Sequence, residues 1–201
     1  MALSMRAKTF IGNLSKRGEM LAQGVSEAGG SGYEAVATYT DAEAPSATWI
    51  AVSALDNVTS FPVAHATTGT YPRNLTCTFG GSWAGGDITV TGTDVSGNVI
   101  SEVIADNAGN AVAGVKIFKT VTSWSKESAG SGAGGHTVTI GYGLKIGFPQ
   151  KLASSFVTVM ARASTGDYAS STATIDLTYS AFTPTNAADG SYDYQILYRA
   201  L

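Results

Sequence analysis

The chain has 201 residues, of which 44% are hydrophobic and only 13% charged, with a formal net charge of −3. That length supports one β-sandwich or barrel with a real core, or a β domain with an appendage, and the charged share is about half that of an ordinary globular domain. The composition excludes a dense basic stripe of the kind that binds nucleic acid, and no apolar run approaches the ~20 residues of a membrane-spanning helix.

The first segment, 1–32, differs in character from the rest of the chain. Arg6, Lys8, Lys16 and Arg17 stand against Glu19 alone within residues 1–20, a balance of +3, so the remainder carries −6. Met5, Phe10, Leu14 and Met20-Leu21 are spaced loosely like one helix face, but Gly12, Gly18 and Gly24 interrupt it, each costing about 1 kcal/mol against Ala in a helix interior. Ala28-Gly29-Gly30-Ser31-Gly32 then reads as a flexible linker. The expectation is an extended or partly helical arm with the opposite charge to its body, suited to docking on an acidic protein surface. The first twenty residues lack the continuous apolar stretch of a signal peptide.

From Tyr33 onward the period is two. Short runs of Val, Ile, Thr, Tyr and Phe alternate with Gly, Asn, Asp and Pro clusters, the pattern of strands and turns. Strands are expected over 33–40, 47–54, 61–66, 72–79, 86–94, 98–105, 114–124, 136–142, 144–148, 155–163, 172–180 and 191–198. In the strand over 72–79, Cys77 shares a face with Leu75 and Phe79, so the lone cysteine reads as a small buried hydrophobe. Lacking any disulfide, the chain suits folding in a reducing cytoplasm.

The clearest unit is a hairpin: Ile88 and Val90 alternate with Thr89, Thr91 and Thr93, Ser96-Gly97-Asn98 reverses the chain, and 98–105 returns. A long Gly/Ser loop, 125–135, has the length of a functional or mobile segment. The strand over 155–163 is apolar on both faces and expected to be central. The last strand puts Tyr192, Tyr194, Ile196 and Tyr198 on one face, either core or an oligomer interface, because Tyr suits a boundary between apolar and wet surroundings. A dozen strands with no helix after residue 32 give an all-β fold, a β-sandwich or jelly-roll-like body over 33–201.

Reaction chemistry is sparse. His65 and His136 are far apart, and neither has a His, Cys or carboxylate neighbour at ligand spacing. The acidic pairs Asp41/Glu43 and Glu102/Asp106 lack the calcium-loop pattern. The glycines of 80–86 lead into a strand rather than the helix a phosphate loop requires. Trp49 and Trp124 read as core or rim residues and Trp83 as a loop anchor. No enzyme, metal or cofactor is expected.

Four segments succeed one another along the chain: Tyr71-Pro72-Arg73-Asn74-Leu75-Thr76-Cys77-Thr78; Gly86-Asp87-Ile88-Thr89-Val90-Thr91-Gly92-Thr93-Asp94 with Ser96-Gly97-Asn98-Val99-Ile100-Ser101-Glu102; Gly114-Val115-Lys116-Ile117-Phe118-Lys119-Thr120-Val121-Thr122-Ser123; and Gly141-Tyr142-Gly143-Leu144-Lys145-Ile146-Gly147-Phe148-Pro149. Together they resemble tailed-bacteriophage head decoration or cement proteins. They span 71–149, less than half of the chain. The resemblance implies a trimeric or otherwise oligomeric β protein, made in the host cytoplasm and located in the virion. There it would stabilise the outer capsid surface, with the major capsid protein as partner. The arm residues Arg6, Lys8, Phe10, Leu14, Lys16 and Arg17 would then contact the capsid, and Tyr192, Tyr194, Ile196 and Tyr198 the neighbouring subunit. Alternatives are a head–tail or tail accessory structural protein, and a carbohydrate-binding fibre or lectin-like module that uses Trp and Tyr platforms.

Overall fold

The computed structural model describes residues 25–26, 33–40, 42–52, 60–62, 70–80, 83, 85–107, 110–127, 137–163, 166–186 and 188–201. The six arm residues named above, His65 and His136 lie outside the described residues. Within them the chain is all-β and contains no helix.

The strands are β1 (Val25–Ser26), β2 (Tyr33–Tyr39), β3 (Ser46–Val52), β4 (Ser60–Pro62), β5 (Arg73–Gly80), β6 (Ile88–Thr93), β7 (Val99–Ile104), β8 (Ala111–Phe118), β9 (Thr120–Lys126), β10 (Thr137–Gly147), β11 (Leu152–Ala163), β12 (Ala169–Ser171), β13 (Ala173–Asp176), β14 (Ala181–Pro184) and β15 (Tyr192–Ala200). They form three sheets, ordered β1-β2-β15-β11-β12, β13-β14-β10-β5-β8 with β3 also on β10, and β4-β9-β6-β7. Every pairing is antiparallel.

The second sheet serves two cores in sandwich-like fashion. Against the first sheet it places Ile146, Phe148 and Phe182 on Tyr39, Val159, Tyr194, Ile196 and Tyr198. Aromatic rings dominate here: Phe148 lies 4.7 Å from Tyr198 and Tyr39 lies 5.0 Å from Phe182, both tilted as the ring quadrupole favours. Against the third sheet it places Leu75, Cys77, Phe79, Val138 and Ile140 on Ile88, Val90, Ile104 and Trp124. β10 is long enough to contribute to both cores, its first half to one and its end to the other.

Leu75, Cys77 and Phe79 are all buried, as the period-two reading expects. Burial pushes the Cys77 thiol up to about 12, with the Glu102 charge adding to it. The hairpin also forms as expected, with Ile88 opposite Ile104 and Thr93 opposite Val99. Asp94 closes its loop: the carboxylate accepts the N–H groups of Ser96 and Asn98, both at 2.9 Å, and Gly97 takes a φ of +84°.

In three places the expected strands are split, merged or cut short, and β12 and β14 are additional to those expected. The run 114–124 is two strands in different sheets, because the chain turns a corner at Lys119, whose N–H leaves the ladder and donates to the Thr93 carbonyl at 2.8 Å. The runs 136–142 and 144–148 are one strand, β10. Gly143 is no turn there; it makes room for Asn74, whose side chain would lie 2.6 Å from a Cβ at that position. The run 172–180 is half strand and half turn: β13 reverses through 177–180 into β14, with the Tyr179 N–H on the Asp176 carboxylate at 3.2 Å and Ser180 at a φ of +49°.

Candidate functional site

Pro72-Arg73-Asn74 turns out to hold the second sheet together. On either side of β5 the ladder slips: β10 bulges at 143–145 and β8 at 114–116. A bulge strips backbone groups of their ladder partners, and buried ones need replacements. Asn74, 3% exposed, supplies two: its Oδ1 accepts the Lys145 N–H at 2.9 Å and its Nδ2 donates to the Gly114 carbonyl at 3.0 Å. Arg73, 1% exposed, donates to the Gly143 carbonyl at 3.1 Å and to the Glu43 carbonyl, and lies 5.6 Å from the Tyr142 ring centre.

Glu43 in turn accepts from the Thr70 hydroxyl at 2.8 Å and the Tyr142 hydroxyl at 3.2 Å. The Thr70 hydroxyl bond, above all, holds the Glu43 carboxyl below its ordinary range, and nearby Arg73 adds to this. Burial, together with the neighbouring Glu43, raises the Tyr142 phenol.

Two further N–H groups of the β8 bulge are met from the third sheet. Glu102 of β7 is 7% exposed, and its Oε1 accepts the N–H groups of Val115 at 2.6 Å and Lys116 at 3.2 Å. Its Oε2 is buried without a hydrogen-bond partner. β7 and β8 are the rim strands of their sheets, and Glu102 stitches the two rims together. On the outward faces of these joined rims stand Val99, Val103 and Val115, 77%, 62% and 44% exposed.

A second surface is a cleft of about 330 Å³ where the hairpin loop meets the turn after β13. Asp94, Asn98, Lys116, Lys151, Thr178 and Tyr179 line it. Val95 separates it from a neighbouring cleft of about 300 Å³ that Lys119 borders. Among the described residues, Lys116, Lys119 and Lys151 have no carboxylate in ion-pair range, whereas Lys145 pairs with Asp176 at 2.8 Å and Arg162 with Asp193 at 2.7 Å.

The other sequence-derived candidates fall elsewhere. Tyr194, Ile196 and Tyr198 lie in the chain's own first core, at 0%, 0% and 3% exposure, and Tyr192 packs half-buried at its margin. The reason is topological: β15 is flanked by β2 and β11, an interior strand whose aromatic face turns inward. Trp124 is core. Trp83 anchors its loop through a 2.8 Å bond to the Gly86 carbonyl, and Trp49 packs edge-on against Tyr142. The three rings thus assemble no shared platform. No group of metal-ligating side chains occurs among the described residues.

The lysines of the cleft and the rim valines escaped the sequence reading. The alternation Val99-Ile100-Ser101-Glu102-Val103-Ile104 held a signal, since Glu102 shares the face of Ile100 and Ile104 and is thereby marked for burial. Compared with known proteins, the chain matches no family model, no curated protein and no solved structure.

Proposed function

We propose that this protein is a structural virion component, a decoration or cement protein that binds the outer surface of a tailed-phage head and oligomerises, with a trimer favoured. The observation that carries the reading is the exposed valine surface on the joined rims of β7 and β8. A low-charge exterior costs little to desolvate, so covering that surface is favourable at roughly 25 cal/mol per Å² of apolar area. The four phage-like segments also gather in space: they supply β5, the β6–β7 hairpin, most of β8, the start of β9 and the second half of β10, so β10-β5-β8 are sheet neighbours and the hairpin packs beside them. Two of their residues, Asn74 and Glu102, bond the bulged backbone of β8, the rim strand that carries Val115.

The test is location. Particles of a phage encoding this chain, purified to homogeneity, should contain it in stoichiometric amount by mass spectrometry, and cryo-electron microscopy should show its density on the outer head in symmetric clusters. Absence from purified particles, or density confined to the tail, would overturn the proposal.

A further inference from the structure

We propose that the cleft between the 94–98 loop and the 177–180 turn binds an acidic sugar, a saccharide ring bearing a carboxylate within a polysaccharide. The charge is the first argument. Lys116 and Lys151 face the cleft without carboxylate partners, and the one acid in its wall, Asp94, is already occupied by the N–H groups of Ser96 and Asn98 and by the Asn98 amide at 3.1 Å. The site is therefore positive on a chain of net negative charge. Lys116 donates one hydrogen to the Ser101 carbonyl at 2.6 Å, which fixes the ammonium and leaves two donors for a ligand.

The second argument is the rest of the wall. Ser96, Thr178 and Tyr179 offer hydroxyl groups that both donate and accept, which suits a polyhydroxylated ring better than a bare anion. Ile100 and Ile117 supply an apolar floor for the C–H face of a sugar. The volume sits at the low end of the ~300–1,000 Å³ range of ligand clefts, room for one or two rings. An acidic peptide would need a long groove or a free strand edge along which to extend, and this cleft is bounded by the 94–98 loop on one side and the 177–180 turn on the other.

The third argument is rigidity. Ser180 is the one non-glycine residue among those described with a positive φ. It is held there by two bonds, its carbonyl accepting the Phe148 N–H at 2.8 Å and its hydroxyl the Leu152 N–H at 3.1 Å. The Asp94 turn fixes the opposite wall. A ligand entering would meet a preformed site and lose little free energy to ordering it.

Calorimetric titration of the full-length protein with trigalacturonate tests this, wherever the protein resides in the particle. We expect a Kd of about 0.1–1 mM, weakening with salt as charge screening requires. The methyl-esterified trisaccharide should bind at least about tenfold more weakly, and so should Lys151→Gln and Lys116→Gln at unchanged melting temperature. Lys151 is exposed, so its variant stays informative even if Lys116→Gln perturbs folding. The proposal is overturned by no binding at about 10 mM, by equal affinity for the ester, by insensitivity to Lys151→Gln, or by inorganic phosphate or triglutamate binding as tightly as the sugar.

Discussion

The Glu102 carboxylate accepts the Val115 N–H at 2.6 Å across the seam between two sheets. With the Lys116 N–H on the same oxygen and the Lys116 ammonium on the Ser101 carbonyl, it joins the rim of the third sheet to a bulged rim of the second. The same carboxylate keeps Oε2 buried and unpartnered, a cost that is larger for a charged oxygen than for a neutral polar atom.

Two substitutions separate these effects. Glu102→Ala removes the acceptor for Val115 and Lys116 and should destabilise by about 1–3 kcal/mol. Glu102→Gln retains a carbonyl for them, and although its amide leaves unmet donors where Oε2 stood, it should unfold later in urea than Glu102→Ala. If the Gln variant is as weak as the Ala variant, the Oε1 bonds are not what holds the seam.

Asn74 is predicted to be hard to replace. Asn74→Ala frees the Lys145 N–H and the Gly114 carbonyl inside two bulges, at about 1–3 kcal/mol for each buried group left unmet. Asn74→Asp keeps the acceptor but turns a second oxygen towards the Gly114 carbonyl, so it should recover little. Hydrogen exchange at Lys145 should speed up beyond the global change. Uniform acceleration across β10 would deny Asn74 this local role.

Acid should weaken the protein partly through Glu43. Its folded pKa is depressed, so its contribution is fully present above the unfolded value of about 4.3 and is lost as pH falls through the folded one. Asp176 acts in the same direction: burial raises it, but the bond from Lys145 and the Tyr179 N–H outweigh that and leave it lowered. Melting temperature plotted against pH should fall less steeply below about pH 5 in Glu43→Gln than in the wild type. Parallel curves would remove Glu43 from the acid response.

These contacts mark how far the sequence could be read. Period-two alternation located the core positions Leu75, Cys77, Phe79, Ile88 and Val90 because each strand has one buried face. It misread places where a side chain rather than a Gly or Pro redirects the backbone. Nothing in Phe118-Lys119-Thr120 breaks a strand locally; the corner exists because the third sheet offers Lys119 a partner. At β13 the alternation of Ile175, Leu177 and Tyr179 continues straight through a turn that Asp176 and Ser180 close. The lysine cleft was invisible for the same reason, since its walls come from segments distant in sequence and only the packing of the hairpin loop against the 177–180 turn brings Lys116 and Lys151 together.

Cys77 should be inert in the native protein. With its thiol pushed up to about 12 by burial, on the order of one molecule in 10,000 would carry a thiolate at pH 8, and the residue is 0% exposed as well. A thiol-disulfide reagent such as Ellman's should react only after unfolding, releasing one equivalent. Rapid labelling of native protein would mean that the second core opens readily.

The assembly reading makes its sharpest prediction at the rim valines. Val99 and Val103 share the outward face of β7, and Val115 stands on the strand that Glu102 binds to it. None of the three belongs to either core, so changing any one of them to lysine should leave the melting temperature within about 2 °C, as a ΔΔG inside the ±0.5 kcal/mol usual for surface substitutions allows. Introducing charge into a surface that is covered on assembly carries a desolvation cost that contact does not offset. Val103→Lys with Val115→Lys should therefore lower the oligomer mass in sedimentation and abolish addition to heads. Leu201, 55% exposed just past β15 of the first sheet, serves as the control, because it is an exposed apolar residue on neither rim strand: Leu201→Lys should leave both measurements unchanged. A double variant that assembles like the wild type would place the contact surface elsewhere on the molecule.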